Sequence, residues 1–193
     1  MKGIERLFTH RIDSSRLKTG DHIYAYRFIR LYSHHGIFVG DSRVIHFIQT
    51  KSNKGASKDK PPCETCGYQK NVHLGVIKTC LDCFLSRRLF SSKSLHLYQY
   101  EEHKFEKLVK MPGTGSTAAC FPPETVVEIA EAFHVNNNFG GYDLFGNNCE
   151  GFATSCKTGH PISEQITSIK NTPIIGVIAP ILTNALDHLK SSS

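Results

Sequence analysis

Ser33-His34-His35-Gly36-Ile37-Phe38-Val39-Gly40-Asp41, followed after one residue by Arg43-Val44-Ile45-His46-Phe47, is the stretch on which the reading of the fold turns. Residues 36–48 are rich in β-branched and aromatic side chains, and Gly40-Asp41-Ser42 has the composition of a tight turn, so a β-hairpin is expected. Residues 21–29, bounded by Gly20-Asp21, read as a further strand. Side chains alternate along a strand, so His34, Gly36 and Phe38 share one face, and His35, Ile37 and Val39 the other. His46 lies on the face of Val44 and Ile48. Whether His34 meets His46 depends on a register that the pattern alone does not fix.

Outward from the hairpin, helical and extended signals alternate. Leu95-His96-Leu97-Tyr98-Gln99-Tyr100 alternates as a strand does. Pro122-Pro123 opens a helix over 124–134 whose apolar stripe is Val126, Val127, Ile129, Ala130 and Phe133. After an extended Tyr142-Asp143-Leu144, a second helix starts at Cys149 and runs to about Lys157, stopped by Gly159 and Pro161. Residues 51–62 read as an exposed loop and 113–117 as a flexible turn. The fold class is α+β: an antiparallel sheet packed by the two helices.

Asn147-Asn148-Cys149-Glu150-Gly151-Phe152 places a thiol where that second helix begins. A helix N-terminus carries roughly half a positive charge and unpaired N–H groups, a setting expected to lower the pKa of Cys149 and to supply oxyanion donors. Asn148 or Asn147 suits the cap position. A nucleophilic cysteine needs a base, and the base a partner that fixes its tautomer. Two strands carrying one histidine each would supply both; on spacing alone, a buried structural thiol and two unrelated histidines fit equally.

Four motifs tip that balance. Leu17-Lys18-Thr19-Gly20-Asp21-His22-Ile23, His34-His35-Gly36-Ile37-Phe38-Val39-Gly40-Asp41, Val44-Ile45-His46 and Asn148-Cys149-Glu150 occur in order over roughly residues 15–160. Together they resemble the lecithin:retinol acyltransferase domain family, which includes small phospholipase/acyltransferases and is a permuted relative of papain-like bacterial cell-wall peptidases. The resemblance implies that Cys149 is the nucleophile, His34 its base and His46 the orienting partner, and it selects His34 over the adjacent His35. It also implies acyl transfer from a glycerophospholipid through a Cys149 thioester to water, an amine or a lipid alcohol, with no cofactor for the chemistry. The same three residues would serve a cysteine peptidase or amidase. Several animal members continue Asn-Cys-Glu with His, whereas this chain has Gly151, and its cysteine-rich insert resembles the plant branch.

That insert, residues 51–92, holds Cys63-Glu64-Thr65-Cys66 and Cys80-Leu81-Asp82-Cys83, thirteen residues apart. The spacing is that of two knuckles closing a four-thiolate structural zinc site on Cys63, Cys66, Cys80 and Cys83. Disulfides or reduced pairs are the alternatives, and His73 is a competing ligand by position. Of the seven cysteines, Cys156 follows Cys149 on about the same helical face and is expected to pack, and Cys120 has no partner by pattern.

The 193 residues are 39% hydrophobic and 21% charged, a globular composition. They read as an acyltransferase-like domain over 1–170 and an apolar tail over 171–193. The tail's Pro173–Leu182 stretch is broken by Pro180 and too short to span ~30 Å of hydrocarbon; it suits shallow membrane contact or docking on the domain's own sheet. Met1–Leu7 lacks the apolar run of a secretion signal, so a reducing cytoplasmic location with peripheral membrane contact is expected. A net charge of +6 favours anionic surfaces. Phospholipid is the expected partner and nucleic acid is not: only Tyr68 and Phe84 lie near the knuckles, and no basic stripe accompanies them. A zinc-braced interaction module without catalysis is the competing class.

Overall fold

The computed structural model describes residues 10–27, 32–51, 61–86, 94–100, 119–143 and 147–160. The apolar tail, the 113–117 turn and most of the 51–62 loop lie outside these residues. The elements in chain order are a 3-10 turn at Ser14–Arg16, strands β1 (His22–Arg27), β2 (Tyr32–Gly40), β3 (Arg43–Phe47) and β4 (Val76–Cys80), helix α1 (Leu81–Leu85), strand β5 (Leu95–Leu97), and helices α2 (Pro123–Asn136) and α3 (Cys149–Thr158). The strands form one antiparallel sheet in the order β4-β3-β2-β1-β5, so the expected α+β class is observed.

The β2–β3 hairpin forms where the sequence placed it. Asp41 and Ser42 take φ of 47° and 54°, the left-handed pair that matches the twist of adjoining strands. Gly40, at φ 90°, absorbs a register shift between Phe38 and Gly40. Beyond it Phe38 pairs with Val44 and Ile37 with Ile45, which sets Gly36 across from His46. A Cβ on Gly36 would lie 2.7 Å from Val44 Cγ1 and 3.0 Å from both His46 Cβ and the Ile45 carbonyl oxygen. Only glycine lets the two strands close at this point.

β4 and α1 were not read from the sequence. The run Val76-Ile77-Lys78-Thr79 is β-branched enough for a strand, but, lying between the two cysteine pairs, it is read from the sequence only as part of the cysteine-rich insert. It is instead the edge strand beside β3, pairing Val44 with Thr79 and Arg43 with Cys80, so the second cysteine pair sits on the end of the sheet.

The sheet has a different cover on each face. On one, Ile37, Ile45, Phe47 and Val76 pack under α2 and α3 against Val126, Ala130, Phe152, Ala153 and Cys156. Val126 and Ala130 belong to the expected stripe of α2, and Cys156 packs as expected. Burying Phe152 completely is worth about 1.5–3 kcal/mol. On the other face, Ile23, Ala25, Val44, Phe84 and Leu95 cluster beneath α1 and the 3-10 turn, with Leu17, Phe38 and Leu81 at the margin. Among the described residues no helix is long and apolar enough to cross a membrane.

Candidate active site and metal centre

Pairing of β2 with β3 answers the question of register: His34 and His46 share the face under α1. His34 Nε2 lies 2.9 Å from His46 Nδ1, and His46 Nε2 lies 3.0 Å from Thr79 Oγ1 on β4. All three residues are buried. Phe84 of α1 packs on both rings, 5.2 Å from the His34 centroid and 5.3 Å from that of His46.

Cys149 is the first residue of α3, and Asn148 is its cap: the Asn148 side-chain oxygen accepts the Gly151 N–H at 2.9 Å. Asn147, the other cap candidate, donates instead to the carbonyls of Phe139 at 2.8 Å and Gly141 at 3.1 Å. The Cys149 thiol donates to the Ser33 carbonyl at 3.8 Å and receives the His35 N–H, so it meets the main chain of β2 on both sides of His34. The fold thus joins the two histidines side chain to side chain, and brings the cysteine to the backbone that carries the first of them.

The expectation of a lowered thiol pKa is corrected by burial. Cys149 is 1% exposed, and desolvation of its thiolate, reinforced by the Glu150 carboxylate, pushes the pKa up to about 11. The His35 N–H, the Tyr142 hydroxyl and the helix terminus act in the opposite direction and are outweighed. In this arrangement Cys149 is a thiol until a base takes its proton.

The opposite face of β2 carries a second histidine chain that the sequence reading missed. Tyr100 Oη is 2.7 Å from His22 Nδ1, His22 Nε2 is 2.8 Å from His35 Nδ1, and His35 Nε2 is 2.8 Å from Ser33 Oγ. His22 stacks on Tyr98 at 4.2 Å, and the Tyr98 hydroxyl donates to the buried Glu150 at 3.5 Å. Burial holds His35 down to about 3 and, with His35 beside it, holds His22 well below the ordinary histidine value. Both rings are therefore neutral, and the chain is a buried polar strut beneath the segment that meets Cys149. Its signal was present in the alternation: His35 falls one residue from His34, on the other face.

The four cysteines Cys63, Cys66, Cys80 and Cys83 converge, their sulfurs all within 4.8 Å of one another. Cys63 and Cys80 sulfurs are 3.9 Å apart, and those of Cys66 and Cys83 3.7 Å apart. Sulfurs bound tetrahedrally at ~2.3 Å from zinc are ~3.8 Å apart, so the spacing fits a four-thiolate metal ion. Each pair is also built as a knuckle. Gly67, at φ 69°, donates to the Cys63 carbonyl at 2.7 Å, and the Cys83 N–H donates to Cys80 Sγ at 3.4 Å. Main-chain N–H groups, foremost that of Cys66, draw the Cys63 thiol down to about 6, while burial pushes Cys80 and Cys83 up. His73 is no competitor, since its Nδ1 accepts the Gln69 N–H at 2.9 Å. The Arg43 guanidinium donates to the Thr65 carbonyl at 2.8 Å and ties the first knuckle to β3.

Two comparisons bear on identity. The family model for lecithin retinol acyltransferase matches residues 15–162. Protein LEAD-SENSITIVE 1 of Arabidopsis thaliana is 37% identical over 194 residues, covering 90% of this chain and 73% of that protein. With the motifs in order, the antiparallel sheet and a match over most of its length, the chain belongs to the lecithin retinol acyltransferase family.

Proposed function

We propose that this protein is a cysteine-dependent acyltransferase or hydrolase of glycerophospholipid esters, working at a membrane surface from the cytoplasm, with Cys149 as nucleophile, His34 as base and His46 as its orienting partner. The observation that carries the reading is the buried 2.9 Å His34–His46 contact on the very segment whose main chain receives Cys149. His34 takes the thiol proton, and the thiolate attacks the ester carbonyl to form a C–S bond. The C–O bond then breaks, and the leaving alcohol takes the proton back from His34. Water, an amine or a lipid alcohol gives His34 a proton as it attacks the thioester, and the released thiolate recovers that proton. N–H groups in the first turn of α3 stabilise the oxyanion in both halves.

We assign zinc to the four-cysteine centre, on the sulfur spacing and the N–H···S bond. Cys63, Cys66, Cys80 and Cys83 would hold the ion as four thiolates, leaving no position open to substrate, so it would brace the insert rather than supply Lewis acidity.

The burial of Cys149 favours a second reading, a catalytically silent zinc-braced interaction module. Product analysis separates the two. Incubated with phosphatidylcholine micelles, the enzyme releases lysophospholipid in step with fatty acid or acylated acceptor, and His34→Ala releases neither. Equal yields from wild type and His34→Ala would remove the catalytic reading.

A further inference from the structure

The metal centre and the histidine pair are joined by a short piece of chain. Cys80 ends β4 and caps α1, and Cys83 lies in its first turn. Thr79 precedes the first of these cysteines and Phe84 follows the second. Thr79 is fully buried, and its hydroxyl has two neighbours: the Cys80 carbonyl at 3.2 Å and His46 Nε2 at 3.0 Å.

The directions of these bonds follow from counting protons. A carbonyl can only accept, so the single hydroxyl proton of Thr79 goes to Cys80. Thr79 then accepts from His46, which places the proton of that neutral ring on Nε2. His46 Nδ1 is left as an acceptor, so the 2.9 Å contact is donated by His34 Nε2. The lone pair of His34 is then on Nδ1, the nitrogen nearer its own main chain. Reversing any link would leave two donors or two acceptors facing each other.

We propose that Thr79 is a positioning residue of the active site, and that it transmits the state of the four-cysteine centre to His34. With Cys80 and Cys83 held on a metal, the Cys80 main chain would be fixed; its carbonyl orients the Thr79 hydroxyl, and the hydroxyl sets the tautomer of His46 and hence of His34. Phe84 supports the same coupling sterically. Its ring touches both imidazoles, while the Arg27 guanidinium holds its carbonyl and that of Leu85 at the end of α1. Its meaning for catalysis rests on the assignment of Cys149 and His34 made above.

The test uses the metal-loaded full chain with 15N-labelled histidine, in which long-range proton–nitrogen spectra distinguish Nε2–H from Nδ1–H rings. Wild type is expected to show His46 and His34 as Nε2–H. Thr79→Val, which keeps the shape and removes the hydroxyl, loses that signature; Thr79→Ser retains it. Chelation of the metal reproduces the Thr79→Val pattern while the β1 and β2 amide signals persist. An Nδ1–H His46 in wild type, an unchanged signature in Thr79→Val, or no effect of chelation overturns the proposal. If the tautomers respond as expected but no acyl transfer is found, the catalytic assignment fails and the Thr79 linkage stands.

Discussion

Replacing Gly36 by alanine tests whether the hairpin closes as tightly as described. The added Cβ would sit 2.7 Å from Val44 Cγ1 and 3.0 Å from His46 Cβ and from the Ile45 carbonyl oxygen. Neither a β-branched side chain nor a strand carbonyl can swing aside cheaply, so β3 must move off β2 or the Val44 rotamer must distort. Overpacking of this kind costs about 1–3 kcal/mol. In a chain of this length that lowers the thermal midpoint by roughly 2–12 °C. The displacement falls on His46, so the variant should also lose the His34–His46 hydrogen bond in proton NMR. Val44→Ala removes the nearest atom. In the Gly36→Ala/Val44→Ala double variant the two losses should therefore fall short of their sum, with a coupling of about 0.5–3 kcal/mol. Thermal denaturation of the four proteins, followed by circular dichroism, measures the cycle. A Gly36→Ala protein within about 0.5 kcal/mol of wild type, or strictly additive losses, would refute the packing argument.

Two other predictions concern stability and metal. Elemental analysis should find one zinc per chain, and Cys66→Ser should lose it with a fall in thermal midpoint, because binding to a closed thiolate site contributes directly to folding; full zinc in Cys66→Ser would contradict the ligand set. His22 and His35 have folded-state pKa values below their unfolded ones, so the unfolded chain binds more protons as pH falls. The stability that His35 contributes is complete above about pH 6.5 and is lost as pH drops towards about 3, and that of His22 is lost in the same direction. Denaturant titrations across that window should give a shallower pH slope for His35→Gln than for wild type; an equal slope would mean that the ring is already charged in the fold.

The hairpin, the two long helices, an asparagine cap at 147 or 148 and the cysteine quartet are legible because each has a local cause: turn residues, an apolar period, a capping side chain, a knuckle spacing. The position of His46 relative to His34 is not, because register is set by contacts across strands, here the Gly36–Val44 approach. β4 is not legible because its β-branched residues run into the second cysteine pair, and the CxxC spacing is the stronger pattern. The raised pKa of Cys149 was illegible for a third reason. A helix terminus can be inferred from sequence, but the depth at which α3 buries it depends on the whole fold, and desolvation then outweighs the dipole.

Thioester formation at Cys149 is the central claim, and intact mass spectrometry after incubation with phospholipid micelles tests it most directly. Wild type should gain the mass of one acyl chain, removable by hydroxylamine, while Cys149→Ser gains no hydroxylamine-labile adduct and His34→Ala gains none. A wild-type protein that remains unmodified over the period in which it releases lysophospholipid, or a labile adduct that persists in Cys149→Ser, would contradict the account.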